Sequence, residues 1–79
     1  MSPTVFRYKS YRFFFFSREE TRMHIHVISP TGEAKFWIDP EIEIAKSVGF
    51  SDHELNSLAE IINAKKDEIK ESWRIHFGY

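Results

Sequence analysis

Residues Met23–Asp39, MHIHVISPTGEAKFWID, decide the fold of this chain. On both sides of the central SPTG, apolar and polar residues alternate with a period of two, which is the pattern of β-strands. Within SPTG, proline fixes one backbone angle and glycine accepts a positive φ, so these four residues favour a tight turn. The stretch therefore predicts an antiparallel hairpin made of strands Met23–Ile28 and Glu33–Asp39.

Two further strands are predicted before this hairpin, at Thr4–Tyr8 and Tyr11–Phe16, because both segments are rich in aromatic and β-branched residues. Only two residues separate them, which is the length of a tight hairpin turn. Alternation places Tyr11, Phe13 and Phe15 on one face and Arg12, Phe14 and Phe16 on the other. The unbroken phenylalanine run indicates a strand that is covered on both faces.

Residues 40–49 admit two interpretations. Asp39 and Pro40 resemble the N-cap and first residue of a helix. In contrast, Ile42 and Ile44 alternate with acidic residues as in a strand. We expect a short edge strand here.

The start of the C-terminal helical region is the best-defined boundary in the sequence. Ser51 and Glu54 have the spacing of a capping box. Apolar residues then follow a helical stripe, formed by Leu55, Leu58, Ile62, Ile69, Trp73 and Phe77. Lys65 and Lys66 interrupt the stripe, which predicts either one long helix with a weak point or two helices that meet there. Gly78 is expected to end the helical region.

Together these elements predict a single α+β domain over residues 1–79. We expect an antiparallel meander sheet of four to five strands, with a long C-terminal helix or helix pair packed on one face. The 79 residues are 42% hydrophobic and 16% aromatic, which is typical of a folded domain and excludes a disordered chain.

Composition also narrows the function classes. The sequence has no cysteine, which excludes disulfides and cysteine zinc sites and points to a reducing cytoplasm. No apolar run has membrane-spanning length, and no signal peptide is recognisable, so we expect a soluble protein without membrane contact. The net charge is −1, with basic residues prevailing in residues 1–37 and acidic residues in 39–79. This distribution argues against strong, general nucleic-acid binding.

His24 and His26 are the candidate functional residues. They are one residue apart on a predicted strand, so both imidazoles project from the same face. Imidazoles titrate near neutral pH and suit general acid–base chemistry. In a ribonuclease-type site, one would remove the 2′-hydroxyl proton and the other would protonate the leaving 5′-oxygen. Arg22, Lys35 or Arg12 would then stabilise the phosphate charge.

Three other interpretations of the histidine pair compete with the ribonuclease. In the first, His24 and His26 bind a divalent metal such as zinc, with a third ligand from Glu19, Glu20 or His53 that no spacing fixes. The second, a histidine-triad hydrolase, is disfavoured because Ile28 occupies the place of the third histidine. In the third, which we favour, the strand docks a partner protein and the histidines are surface residues. His76 would join the pair only if the C-terminal helix folds back past this strand.

Several short segments resemble the bacterial family catalogued as domain of unknown function 4160. The matching segments are PTVFRY at 3–8, YRFFFFS at 11–17, HIHV at 24–27, AKFWI at 34–38, GFS at 49–51, and the ending with Trp73, Phe77 and Gly78. The family has no established activity. Its genes often lie beside those of a second small family, numbered 2442, as in two-gene toxin–antitoxin modules. The resemblance implies a bacterial protein that acts with a protein encoded by an adjacent gene; RNA is the alternative partner.

Overall fold

A computed structural model describes residues 4–16 and 22–78 of the chain. In chain order, the strands are β1 (Thr4–Tyr8), β2 (Tyr11–Phe14), β3 (His24–Ser29), β4 (Gly32–Trp37) and β5 (Glu43–Val48), and the helices are α1 (Asp52–Ala64) and α2 (Lys66–Phe77). The five strands lie side by side in sequence order, and every neighbouring pair is antiparallel. The predicted α+β meander followed by helices is therefore confirmed.

Strand β1 has the predicted bounds, and the ends of β2, β3 and β4 differ from the predicted ends by at most two residues. Pairing between β2 and β3 stops at Phe14 opposite His26, although the prediction extended the strand to Phe16. Side-chain alternation nevertheless continues, because Phe15 is buried and Phe16 is 43% exposed. Strand β5 confirms the edge-strand interpretation of residues 40–49.

The hydrophobic core lies between one face of the sheet and the two helices. Strand residues that alternate toward this face are buried together with the helical stripe; the main members are Phe13, Phe15, Ile25, Val27, Ala34, Phe36, Leu55, Leu58, Ile62, Ile69 and Trp73. Each fully buried aliphatic or aromatic side chain of this kind contributes about 1.5–3 kcal/mol. Because the helices cover this face of the sheet, the opposite face is the one that is available for a functional site.

We call the opposite side of the sheet the histidine face. It is defined by the residues that alternate away from the core: Arg12, Phe14, Phe16, His24, His26, Ile28, Glu33, Lys35, Trp37, Glu43, Lys46 and Val48. None of these twelve residues belongs to the core cluster that the sheet forms with the helices. The histidine face carries aromatic, cationic and acidic side chains in close proximity.

The helical region consists of two helices that meet at Lys65. Its backbone N–H donates to the carbonyl oxygens of Ile61 and Ile62, both at 3.1 Å, and α2 begins at the next residue. The break falls where two lysines interrupt the apolar stripe, as the sequence indicated. At the other end of α1, Ser51 and Glu54 form the predicted capping box. Gly78, with φ 84°, ends α2.

The capping box is tied to the sheet through Tyr11. The Ser51 backbone N–H donates to Glu54 Oε1 at 3.0 Å, and the Tyr11 hydroxyl donates to Glu54 Oε2 at 3.0 Å. The hydrogen bond from Ser51 is the main reason that the pKa of Glu54 is lowered, and the bond from Tyr11 adds to it. Burial and the same carboxylate raise the pKa of Tyr11.

We expect this capping box to make stability depend on pH. A carboxyl whose pKa is lower in the folded than in the unfolded state stabilises the fold above its unfolded pKa, and this stabilisation is lost as the pH falls. The unfolding free energy should therefore fall as the pH decreases through the ordinary glutamate value of 4.5 and below. Glu54→Gln should make this slope shallower. Urea denaturation across the acid range measures it, with Glu60→Gln on the same helix as control; an unchanged Glu54→Gln slope would contradict the assignment.

Candidate functional site on the histidine face

The histidine face is organised in rows, because residues that are opposite each other on neighbouring strands share a face. The central row runs Phe14, His26, Lys35 and Lys46 from β2 to β5. One flanking row contains Arg12, Ile28, Glu33 and Val48, and the other contains His24, Trp37 and Glu43. Three of the four predicted site residues, His24, His26 and Lys35, thus lie in adjacent rows.

His24 lies inside the protein, so the expectation that both histidines are surface residues is wrong for His24. Its side chain is fully buried, with its ring centroid 5.8 Å from that of Trp37 on β4 and 5.1 Å from that of Trp73 on α2. Its Nδ1 lies 2.7 Å from the carbonyl oxygen of Arg22. Because a carbonyl oxygen only accepts, Nδ1 carries the proton and donates it there. These contacts position the start of β3 and keep the His24 ring away from solvent.

His26 is the histidine of the pair that reaches the surface. It is half-buried, and its ring centroid is 5.1 Å from that of His24, on the same face as the alternation predicts. Its ring stacks near Phe14 with the centroids 5.5 Å apart, and the Phe16 ring meets it edge-on at 4.4 Å. His26 is therefore a partly exposed member of an aromatic cluster.

Arg22 connects three parts of the structure. Its Nε donates to the carbonyl oxygen of Asp39 at 3.0 Å, and a guanidinium nitrogen lies 3.3 Å from a carboxylate oxygen of Glu43. The same guanidinium is stacked over Trp37, 4.4 Å from the ring centroid. These contacts explain Arg22 as a structural residue that holds the entry to β3 against β4 and β5.

Lys35 and Lys46 bring positive charge to the surface beside His26. The two residues are directly opposite each other on β4 and β5, and the Lys35 ammonium lies 4.5 Å from the centre of the Trp37 ring. Both line a pocket of about 280 Å³. The other residues that line it are Phe14, Phe16, His26, Val27, Ile28, Glu33 and Ala34. The pocket thus has an apolar side and a mainly cationic side.

The other predicted ligands lie elsewhere or outside the described residues. His53 lines a separate cleft with Tyr8 and Tyr11. His76 lines a cleft with Val5 and Phe15, although α2 does pass close enough for Trp73 to contact His24. Within residues 4–16 and 22–78, no group of three histidine, aspartate or glutamate side chains is arranged to hold a metal. Glu19 and Glu20, the other proposed third ligands, lie outside these ranges.

Trp37, Phe16 and Lys46 belong to the site but were given no role from the sequence. Trp37 contacts Arg22, His24 and Lys35 and is the centre of the cluster. A signal for it was present, since alternation already placed this large aromatic residue on the polar face of β4. No such signal was present for Lys46. The face of the sheet on which Lys46 lies depends on a strand irregularity between Ile44 and Lys46.

Comparisons with known proteins agree with the sequence resemblance. No helix in the described parts of the chain is long and apolar enough to cross a membrane. No curated protein and no solved structure matches the chain. A family model does match, over residues 10–74, which include the sheet from β2 onward and most of both helices. The chain therefore belongs to the family described as domain of unknown function, DUF4160.

Proposed function

We propose that this protein works by docking a protein partner on the histidine face, as one component of a toxin–antitoxin-like two-gene module. The pocket beside His26 is the observation that supports this most directly. It combines partly exposed apolar side chains, Phe16 at 43% and Ile28 at 39%, with the cations of Lys35 and Lys46. Aromatic anchors surrounded by polar groups are typical of the energetically important centres of protein interfaces.

The arrangement of the histidines favours docking over the ribonuclease-type interpretation. General acid–base cleavage by two imidazoles requires both to reach the substrate. Here His24 is enclosed between two tryptophans, and its Nδ1 donates to the backbone. Arg22, one of the three cations considered for stabilising the phosphate, is engaged with Asp39 and Glu43. Of the pair, His26 is the one with an accessible imidazole, which suits a contact residue.

The partner that we propose is the protein encoded by the adjacent gene, because similar proteins are encoded in two-gene arrangements. Co-expression of the two proteins and co-purification through a tag on the partner should yield a complex. Phe16→Asp should weaken this complex by about tenfold or more, because a charge replaces a partly exposed apolar contact at the edge of the pocket.

Ile75→Asp is the matched control for this experiment. Ile75 is 76% exposed on α2 and lines no part of the pocket at His26, so the same charge is introduced at a different site. The affinity of this variant should equal that of the wild type, as measured by isothermal titration calorimetry. A complex that Phe16→Asp leaves intact, or that Ile75→Asp weakens equally, would exclude the histidine face as the docking surface.

A further inference from the structure

We infer that the partner segment held on the histidine face is an acidic peptide with one large apolar side chain, an inference that rests on the proposed docking function. The pocket contains groups that can bind both the apolar side chain and the acidic residues of such a peptide. Phe14, Phe16 and Ile28 form its apolar part, and Lys35 and Lys46 form its cationic part. Among the described residues, Glu33 is the one acid that lines it, so two ammonium groups accompany one carboxylate.

The two lysines are the groups of the pocket that suit an anionic ligand. Lys35 and Lys46 are directly opposite each other on β4 and β5, and both line the pocket. A carboxylate bound between the two strands would therefore lie close to both ammonium groups. The stacking of Arg12 over the Phe14 ring, 4.6 Å from its centroid, places a further cation at the apolar end of the row.

The geometry of the row sets the spacing within the ligand. Neighbouring strands are about 4.8 Å apart, so Phe14 and Lys35 are separated by about 10 Å and Phe14 and Lys46 by about 14 Å. An extended peptide rises about 3.4 Å per residue. A peptide that crosses the strands would therefore place its acidic residues about three or four positions from its apolar anchor.

The ring contacts favour a peptide over single-stranded nucleic acid. Binding of single strands depends on bases stacking on aromatic faces. Here the Trp37 ring already has Arg22 and Lys35 over it, and the Phe14 ring has Arg12 over it and His26 stacked beside it. A side chain that enters the pocket end-on needs no free ring face.

Titration of the isotope-labelled protein with short synthetic peptides, followed by NMR, tests the inference without the partner. The probe is a peptide with one tryptophan and glutamates three and four positions away. It should shift the amide resonances of His26, Lys35 and Lys46, and the same peptide with lysine in place of glutamate should not. Lys46→Glu should weaken binding about tenfold, whereas the control Lys66→Glu, at the start of α2, should not.

Two outcomes would overturn the inference. In one, the basic peptide binds as well as the acidic peptide, or the shifts lie away from the pocket. In the other, a short oligouridylate binds the same amides more tightly than the acidic peptide, which would assign the face to nucleic acid. The co-purification experiment separates this failure from that of the proposed function. A partner that is lost with Phe16→Asp but retained with Lys46→Glu docks on this face, but its binding does not depend on acidic residues that contact Lys46.

Discussion

Replacement of Gly49 by alanine is expected to destabilise the protein by roughly 3 kcal/mol, a large part of the 3–5 kcal/mol that a core of this size supplies. Gly49 has φ +84°, a conformation that costs a residue with a Cβ atom about 1–2 kcal/mol. A Cβ atom there would also collide with the carbonyl oxygen of Thr31 and lie 2.9 Å from the Cα of Gly32. Both neighbours are backbone, so neither can rotate away, and the turn between β3 and β4 would have to move.

Gly78→Ala is the matched control, because Gly78 has the same φ of +84° and a Cβ atom added to it would have no neighbour within 4 Å. The Gly78→Ala variant therefore measures the free-energy cost of the positive φ alone, without the cost of a collision. Thermal denaturation should show a fall in Tm of roughly 15 °C for Gly49→Ala and a much smaller fall for Gly78→Ala. Equal effects of the two substitutions would mean that the contact between Gly49 and the Thr31–Gly32 turn contributes nothing.

Most of the fold is predictable from local patterns. The period of two in Met23–Asp39, the turn at SPTG and the capping box at Ser51 each identify one element or boundary, and all three are found in the structure. The positive φ expected of the glycine in SPTG is wrong, because Gly32 is the first residue of β4 and does not adopt it. These signals suffice because the core face of each strand carries large apolar residues that burial selects strongly. The strand ends were less predictable, since they depend on where pairing with a neighbour stops.

The composition of the candidate site was less predictable, and strand β5 shows why. Lys35 is opposite Lys46, but the next β4 residue, Phe36, is opposite Ile44, so Ala45 has no opposite residue. This bulge moves Lys46 to the histidine face, whereas strict alternation would keep it on the same side as Ile44. A single extra residue in an edge strand thus brings the second lysine to the cationic side of the pocket. The sequence contains no pattern that predicts this bulge.

The two histidines show a second limit of sequence reasoning. Alternation correctly places His24 and His26 side by side, but it treats them as equivalent. Their environments differ because Trp73, 49 positions later in the chain than His24, packs against His24 and encloses it. Long-range packing of this kind decides which imidazole meets solvent. The alternating pattern therefore does not reveal that His24 is a structural residue and His26 a surface residue.

We expect His24→Ala to destabilise the protein by about 3 kcal/mol and His26→Ala by about 1 kcal/mol or less. Loss of His24 removes a fully buried ring between two tryptophans and leaves the Arg22 carbonyl without its donor. His26 is half-buried, so its removal opens a surface depression that water can fill. Urea denaturation measures both differences.

His24→Asn distinguishes a structural role from a chemical one. The asparagine amide can donate to the Arg22 carbonyl in place of Nδ1, but it cannot act as a general acid or base near neutral pH. It should therefore recover part of the stability that His24→Ala loses and should bind the partner with nearly wild-type affinity at a temperature where it is folded. A folded His24→Asn protein that binds its partner normally but has lost its activity in the cell would instead place the His24 imidazole in a reaction. Such a result would require the ring to leave the space between Trp37 and Trp73.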